Sequence, residues 1–286
     1  MADPTEEKIL DSIRWGGHAL ISLYISVVSG LIVGLQYNPA EPFYSTATIE
    51  LIVPFGSFWR SLHYLSSQAF MLLLLAHLVI ILWQKPSTSA YRFTRWGWLR
   101  LTASVPIALT LLFTGYLLRG DATGNAAGAI AEHITRSIPI MGTHLNKLLF
   151  DGNAVGVQKV YLNHLIGLMV VGGVCVWPHL RRYTASWNNH LPLTLGLLLV
   201  SPLVKTPLER DHFALLHIDG PWFFIGLQEL LRYLPVFWAG IFIPATFVGA
   251  LLFLPPEGRA RRLTFWFMGA WLLAYIILSA LGFQRG

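Results

Sequence analysis

Apolar runs close to twenty residues long recur along this chain, and nothing else in the sequence constrains its fold as tightly. A run of ~20 apolar residues is what crosses the hydrocarbon core of a bilayer as a helix. A soluble domain of 286 residues could not hide so many such runs without exposing apolar surface elsewhere. Lipid offers the backbone no hydrogen bonds, so each segment must pair its own N–H and C=O groups, which selects helices. The pattern predicts helices over about 17–36, 62–84, 99–118, 160–181, 190–205, 234–254 and 262–283, an all-α polytopic transmembrane bundle of about seven helices. The run at 190–205 is the least regular. It is short and holds Pro192 and Pro202, so a tilted or broken helix is expected there as readily as a clean span.

Composition agrees: 55% of residues are hydrophobic and 12% charged. The net charge of +6 would suit a nucleic-acid binder, but the basic residues cluster beside apolar runs, as topology signals do, so no nucleic-acid partner is expected. Lys85, Arg92, Arg95 and Arg100, then Arg181 and Arg182, then Arg259, Arg261 and Arg262 fall on one side if seven helices alternate. The positive-inside rule makes that side cytoplasmic, with the N-terminus inside, the C-terminus outside and a bacterial inner membrane the expected location. Met1 to Arg14 is polar, so no cleavable signal peptide is expected. The single cysteine, Cys175, excludes an intramolecular disulfide, a Cys-based iron–sulfur site and a Cys-x-x-Cys-His haem attachment.

The chemistry-bearing residues are histidines. His63 and His77 share the second expected helix, 14 residues apart, and His164 and His179 share the fourth, 15 apart. On an ideal helix the first pair is offset by roughly 21 Å and about 40°, the second by roughly 22 Å and 60°. Each helix thus offers two imidazoles on nearly one face, one per leaflet. A single histidine in an apolar helix reads as a satisfied core residue or part of a proton path. Four at matched depths on two spans that run the same way read as two bis-imidazole sites, His63 with His164 near the outer side and His77 with His179 near the inner. Haem iron held between each pair of rings would also offset the cost of burying polar rings in lipid.

With these residues in place, the chain resembles the cytochrome b family of quinol-oxidising bc and bf complexes. The resemblance is carried by Arg60-Ser-Leu-His63 with His77, by Lys159-Val-Tyr-Leu-Asn-His164 with His179, and by Ser29-Gly30, Gly115-Tyr116-Leu117-Leu118 and Ser137-Ile-Pro-Ile-Met-Gly142. The 14/15 spacing is closer to that of the chloroplast-type bf branch than to the mitochondrial 14/14. The resemblance implies two b haems, glycines at Gly16, Gly30 and Gly115 that let haem approach the backbone, Arg60 as partner of an outer haem propionate, and Trp98 near the inner haem. The family's fourth glycine is Leu101 here and an expected inner arginine is Ile80. Arg14 stands where the bf branch attaches an extra haem through cysteine, so that haem is not expected. The bf branch splits the protein in two, so the resemblance implies a four-helix di-haem core over 1–189 fused to a three-helix C-terminal part over 190–286.

The likeness fails at the outer quinol pocket. Where the family carries a Pro-Glu-Trp-Tyr type motif, this chain reads Gly220-Pro221-Trp222-Phe223, and a Pro-Trp-Gly turn becomes Arg119-Gly120-Asp121. Proline cannot accept the quinol proton. Asp219 and His217 are the nearest substitutes, with Glu229, Glu132 and His133 behind them. Three readings stand: a redox subunit, not active alone, passing electrons between quinone and an outer Rieske protein or c-type cytochrome; a haem-bearing anchor for an outer-side dehydrogenase or reductase, with quinone chemistry near His179, Arg181 and Arg182; and a transporter with a histidine proton relay. A homodimer is a further expected assembly.

Overall fold

A computed structural model describes residues 14–83, 94–150, 154–182, 185–209, 220–255 and 257–285. In chain order the helices are α1 (Trp15–Gly34), α2 (Pro42–Leu51), α3 (Gly56–Trp83), α4 (Arg95–Leu117), α5 (Ala122–Arg136) and α6 (Gly142–Leu149). Then come α7 (Ala154–Leu162) and α8 (Leu168–Leu180), joined without a break by a π turn over Asn163–Gly167. The last are α9 (Leu191–Val200), α10 (Ile225–Leu230), α11 (Ile243–Leu252) and α12 (Gly258–Arg285). Among the described residues there is no strand, and the fold is a polytopic helical bundle.

Among the described residues, five helices are long and apolar enough to cross a membrane: Trp15–Gly34, Gly56–Trp83, Arg95–Leu117, Gly156–Leu180 and Gly258–Arg285. The sixth expected run is the shorter apolar helix Trp238–Leu252. The segment at 190–205 is the ten-residue α9 with Pro at its start, ended by a 3-10 turn over Ser201–Leu203. The α-helical part rises about 15 Å, and 3-10 turns over Trp187–His190 and Ser201–Leu203 extend it at both ends. The region expected as a long loop, 119–159, holds α5 and α6, each opened by a local device. Asp121 caps α5 by accepting from the Gly124 N–H at 2.9 Å. Gly142 starts α6 where a Cβ would lie 2.6 Å from the Thr135 carbonyl.

The chain forms two compact units, neither continuous in sequence and both drawing on residues before and after 189. The first takes 1–36, 48–90 and 178–206. Its centre is α1 against α3, where Ile21, Ile25 and Leu62 are buried together with Phe58, Trp59 and Leu197 around them. Serines line this seam: Ser22, Ser26 and Ser29 on α1, Ser61 and Ser66 on α3, all buried. Small side chains let helices approach closely, and Ser29 and Ser66 return their protons to the carbonyls of Ile25 and Leu62 at 2.7 and 2.6 Å.

The second unit takes 37–47, 91–177 and 207–286. Its buried cluster is Phe113, Ala127 and Ala131, packed by Tyr116, Leu117, Phe150, Phe223 and Phe224. Gly120, at φ +65°, makes the turn after α4 in a conformation that a β-carbon disfavours, with Pro42 and Phe43 packed against it.

Candidate functional site

His77 on α3 and His179 on α8 belong to one unit, and their ring centroids lie 6.4 Å apart with planes inclined at 41°. Two metal–imidazole bonds of about 2 Å each, extended by roughly 1.2 Å from nitrogen to ring centre, put axial imidazoles roughly 6–6.5 Å apart. The pair therefore has the separation of two rings sharing one metal. Gly16 of α1 faces this pair: a Cβ there would stand 3.1 Å from the His77 ring.

His63 and His164 are seated by second partners that set the proton. Nδ1 of His63 lies 2.8 Å from the Ser26 carbonyl, which can only accept, so Nδ1–H donates and Nε2 carries the lone pair. Nδ1 of His164 lies 2.9 Å from the Thr114 hydroxyl. That hydroxyl's own proton goes to the backbone, 2.9 Å from the Thr110 carbonyl and 3.0 Å from that of Leu111, so toward His164 it accepts. Both rings are thus held as the tautomer with the proton on Nδ1 and the lone pair on Nε2. The sequence reading missed Ser26 and Thr114. Their only signal was position, four residues before Gly30 and one before Gly115.

The glycines named from the resemblance lie against these same rings. A Cβ on Gly30 would meet the His63 ring at 2.7 Å, and one on Gly115 the His164 ring at 3.1 Å. A second histidine pair went unanticipated. His18 and His190 approach to 3.0 Å between their Nδ1 atoms, and Gly17 leaves room for the His190 ring, 2.7 Å from where its Cβ would be. His190 is 2% exposed. Spacing within one helix could not have found this pair, because its members are 172 residues apart.

Arg60, 8% exposed, is ion-paired with Glu50 of α2 at 2.6 Å, and Glu50 also accepts from Thr206. Trp98, expected near the inner haem, donates its indole N–H to the Leu251 carbonyl at 3.0 Å and so ties α4 to α11.

The altered loop residues are largely committed to structure. Asp219 and His217 lie outside the described residues. Asp121 is fully buried, paired with Arg119 and also accepting from Thr123 and the Glu209 N–H. Glu229 is buried at 2% exposure between Arg285 at 2.5 Å, Arg232 at 3.3 Å and the Tyr233 hydroxyl at 2.8 Å. Glu132 pairs with Arg136 at 2.7 Å. Phe224 meets Phe113 at 4.6 Å between centroids with the rings tilted, Phe223 meets Phe224 edge to face at 5.3 Å, and the Phe223 carbonyl accepts from Tyr275 at 2.7 Å. The segment that replaces the family's acidic motif is therefore an apolar packing element.

Fold and site together define a polytopic membrane helical bundle with histidines half-buried between its helices. A family model described as cytochrome b (N-terminal)/b6/petB matches residues 68–190. Cytochrome b6 of Heliomicrobium gestii is 26% identical over 164 residues, covering 56% of this chain and 75% of that protein. Cytochrome b6 of Synechococcus sp. (strain JA-3-3Ab) is 31% identical over 149 residues, covering 49% of this chain and 65% of that protein. A chain of a solved structure titled "Hyperthermophilic respiratory Complex III" shares the fold, with a TM-score of 0.67 at 19% identity, covering 94% of this chain and 82% of that one. Over about half its length, then, the chain is similar to cytochromes b6.

Proposed function

We propose that this chain is the di-haem cytochrome b subunit of a membrane quinone oxidoreductase, moving electrons across the bilayer. The observation that carries the reading is the 6.4 Å separation of the His77 and His179 rings. In this reading His77 and His179 hold the inner b haem and His63 and His164 the outer one, the outer pairing resting on the sequence spacing. Bound haem supplies one-electron chemistry at each site. The chain's residues do the rest: Ser26 and Thr114 keep Nδ1 protonated so that Nε2 faces the metal, and Gly16, Gly30 and Gly115 keep the ring seats clear. The division into a di-haem core over 1–189 and a C-terminal part over 190–286, and the cytoplasmic N-terminus, belong to the same proposal.

One observation favours the anchor version of this function. The apolar packing of Phe113, Phe223 and Phe224 stands where a quinol-oxidising site needs a proton acceptor. Glu229 and Asp121 are already held by arginines. The outer face then serves a dehydrogenase, a reductase or a c-type carrier, and quinone reacts near His179, Arg181 and Arg182.

The test is haem content of the detergent-purified chain. Two low-spin b haems per chain are expected, one lost in His77→Ala or His179→Ala and the other in His63→Ala or His164→Ala. Retention of both haems in all four variants would defeat the assignment. Co-purification of an outer-side catalytic subunit separates the anchor version from one working with a Rieske protein.

A further inference from the structure

The two ligand helices of the proposed sites carry unequal histidine spacings, 14 residues on α3 and 15 on the helix that runs through α7 and α8. On regular helices that inequality is costly. Fourteen residues return to about 40° short of a whole number of turns, whereas fifteen overshoot by about 60°, a mismatch of roughly 100°. Two helices running side by side could not then aim both members of each pair alike.

The helices also differ in backbone. Helix α3 is α-helical without interruption from Gly56 to Trp83. Its counterpart contains the π turn over Asn163–Gly167, closed by the Leu168 N–H donating to the Asn163 carbonyl five residues back. A π turn holds one residue more than an α turn for the same advance of the helix. His164 stands inside the turn, and Leu165, Ile166 and Gly167 carry the rest of it toward His179, so the widened turn falls at the start of the interval.

We infer that this π turn is a register device for haem ligation: it absorbs the fifteenth residue, so that His164 and His179 are offset along their helix as His63 and His77 are along α3. The inference rests on the four-histidine reading above. Local chemistry holds the turn open. The Asn163 side chain donates to the Leu148 carbonyl at 3.2 Å. Gly167 makes room for that side chain, since a Cβ there would stand 2.8 Å from its Oδ1. An α turn at this point would rotate Asn163 and His164 relative to everything that follows.

Two single-residue deletions in the full chain test this, both at exposed positions. Ile166, 55% exposed, lies inside the π turn, and Val171, 52% exposed, lies in the regular helix after it. Deleting Ile166 should let the turn close as ordinary α-helix, with two haems per chain retained and the low-spin electron paramagnetic resonance signals of both unchanged. Deleting Val171 leaves the π turn in place with the interval one residue short, and haem content should fall from two per chain to one. Equal behaviour of the deletions, whether both keep two haems or both fail to give folded protein, would overturn the register role, as would haem loss confined to the Ile166 deletion. Fewer than two haems in the unaltered chain would instead defeat the four-histidine reading itself.

Discussion

His63 and His164 are seated by different chemistry. The His63 imidazole donates to a backbone carbonyl, that of Ser26, and its ring lies against Gly30, where a Cβ would come within 2.7 Å. The His164 imidazole donates to a side chain, the Thr114 hydroxyl, and has more room beside Gly115, 3.1 Å from where a Cβ would be. A carbonyl has no proton and cannot be removed by substitution, so the first seat depends on how closely α1 and α3 approach. A hydroxyl can be replaced, so the second depends on one residue's chemistry. The same ligand role is thus secured by packing in one unit and by a replaceable polar side chain in the other.

The largest effect is expected where packing decides. In Gly30→Ala the new methyl must push the His63 ring off its 2.8 Å bond to Ser26, in a seam where extra volume costs about 1–3 kcal/mol. Loss of the haem assigned to His63, read as one haem per chain, is expected. Gly115→Ala should keep both haems with only a shifted spectrum. If the two variants behave alike, the difference in packing between the seats has no consequence.

A smaller effect is expected from the polar seat. Thr114→Val keeps the shape but removes the acceptor, and loss of such a partner lowers metal affinity by about 10–100-fold. The variant should release the haem assigned to His164 more readily and shift its midpoint potential, whereas Thr114→Ser restores both. A Ser26→Ala variant should do little, because the acceptor there is the main chain.

The smallest effect concerns the loop that supports the second seat. Tyr37 donates to the Leu118 carbonyl at 2.8 Å and packs its ring 5.2 Å from that of Tyr161, three residues before His164. Burial, with a further contribution from Tyr161, raises the Tyr37 phenol above its ordinary 10.0. A raised phenol contributes stability that is fully present below the unfolded value and is lost as pH climbs from there toward the folded one. Helicity followed by circular dichroism should therefore weaken above about pH 10, and Tyr37→Phe should remove part of that alkaline loss. An unchanged alkaline slope in Tyr37→Phe would show that the tyrosine does not couple pH to this seat.

What the sequence determined by itself was whatever depends on solvent and on period. Long apolar runs require lipid, lipid requires paired backbone, and the 190–205 run, with Pro192 and Pro202, reads as either a tilted or broken helix or a clean span; the structure has a ten-residue α-helix ending at Val200 and a 3-10 turn over Ser201–Leu203. The same periodic reading singled out His77 and His179, whose rings the structure brings to 6.4 Å. The 15-residue interval was visible, but not the π turn inside it, because i→i+5 closure leaves no mark in hydropathy. Tertiary structure alone decided the partners. Ser26 reaches His63 across 37 residues, Thr114 reaches His164 across 50, and Glu50 meets both Arg60 and, 156 residues away, Thr206. Hydrogen bonds at such separations form only once helices pack, since a buried polar group bonds whichever partner the packing brings within about 3 Å.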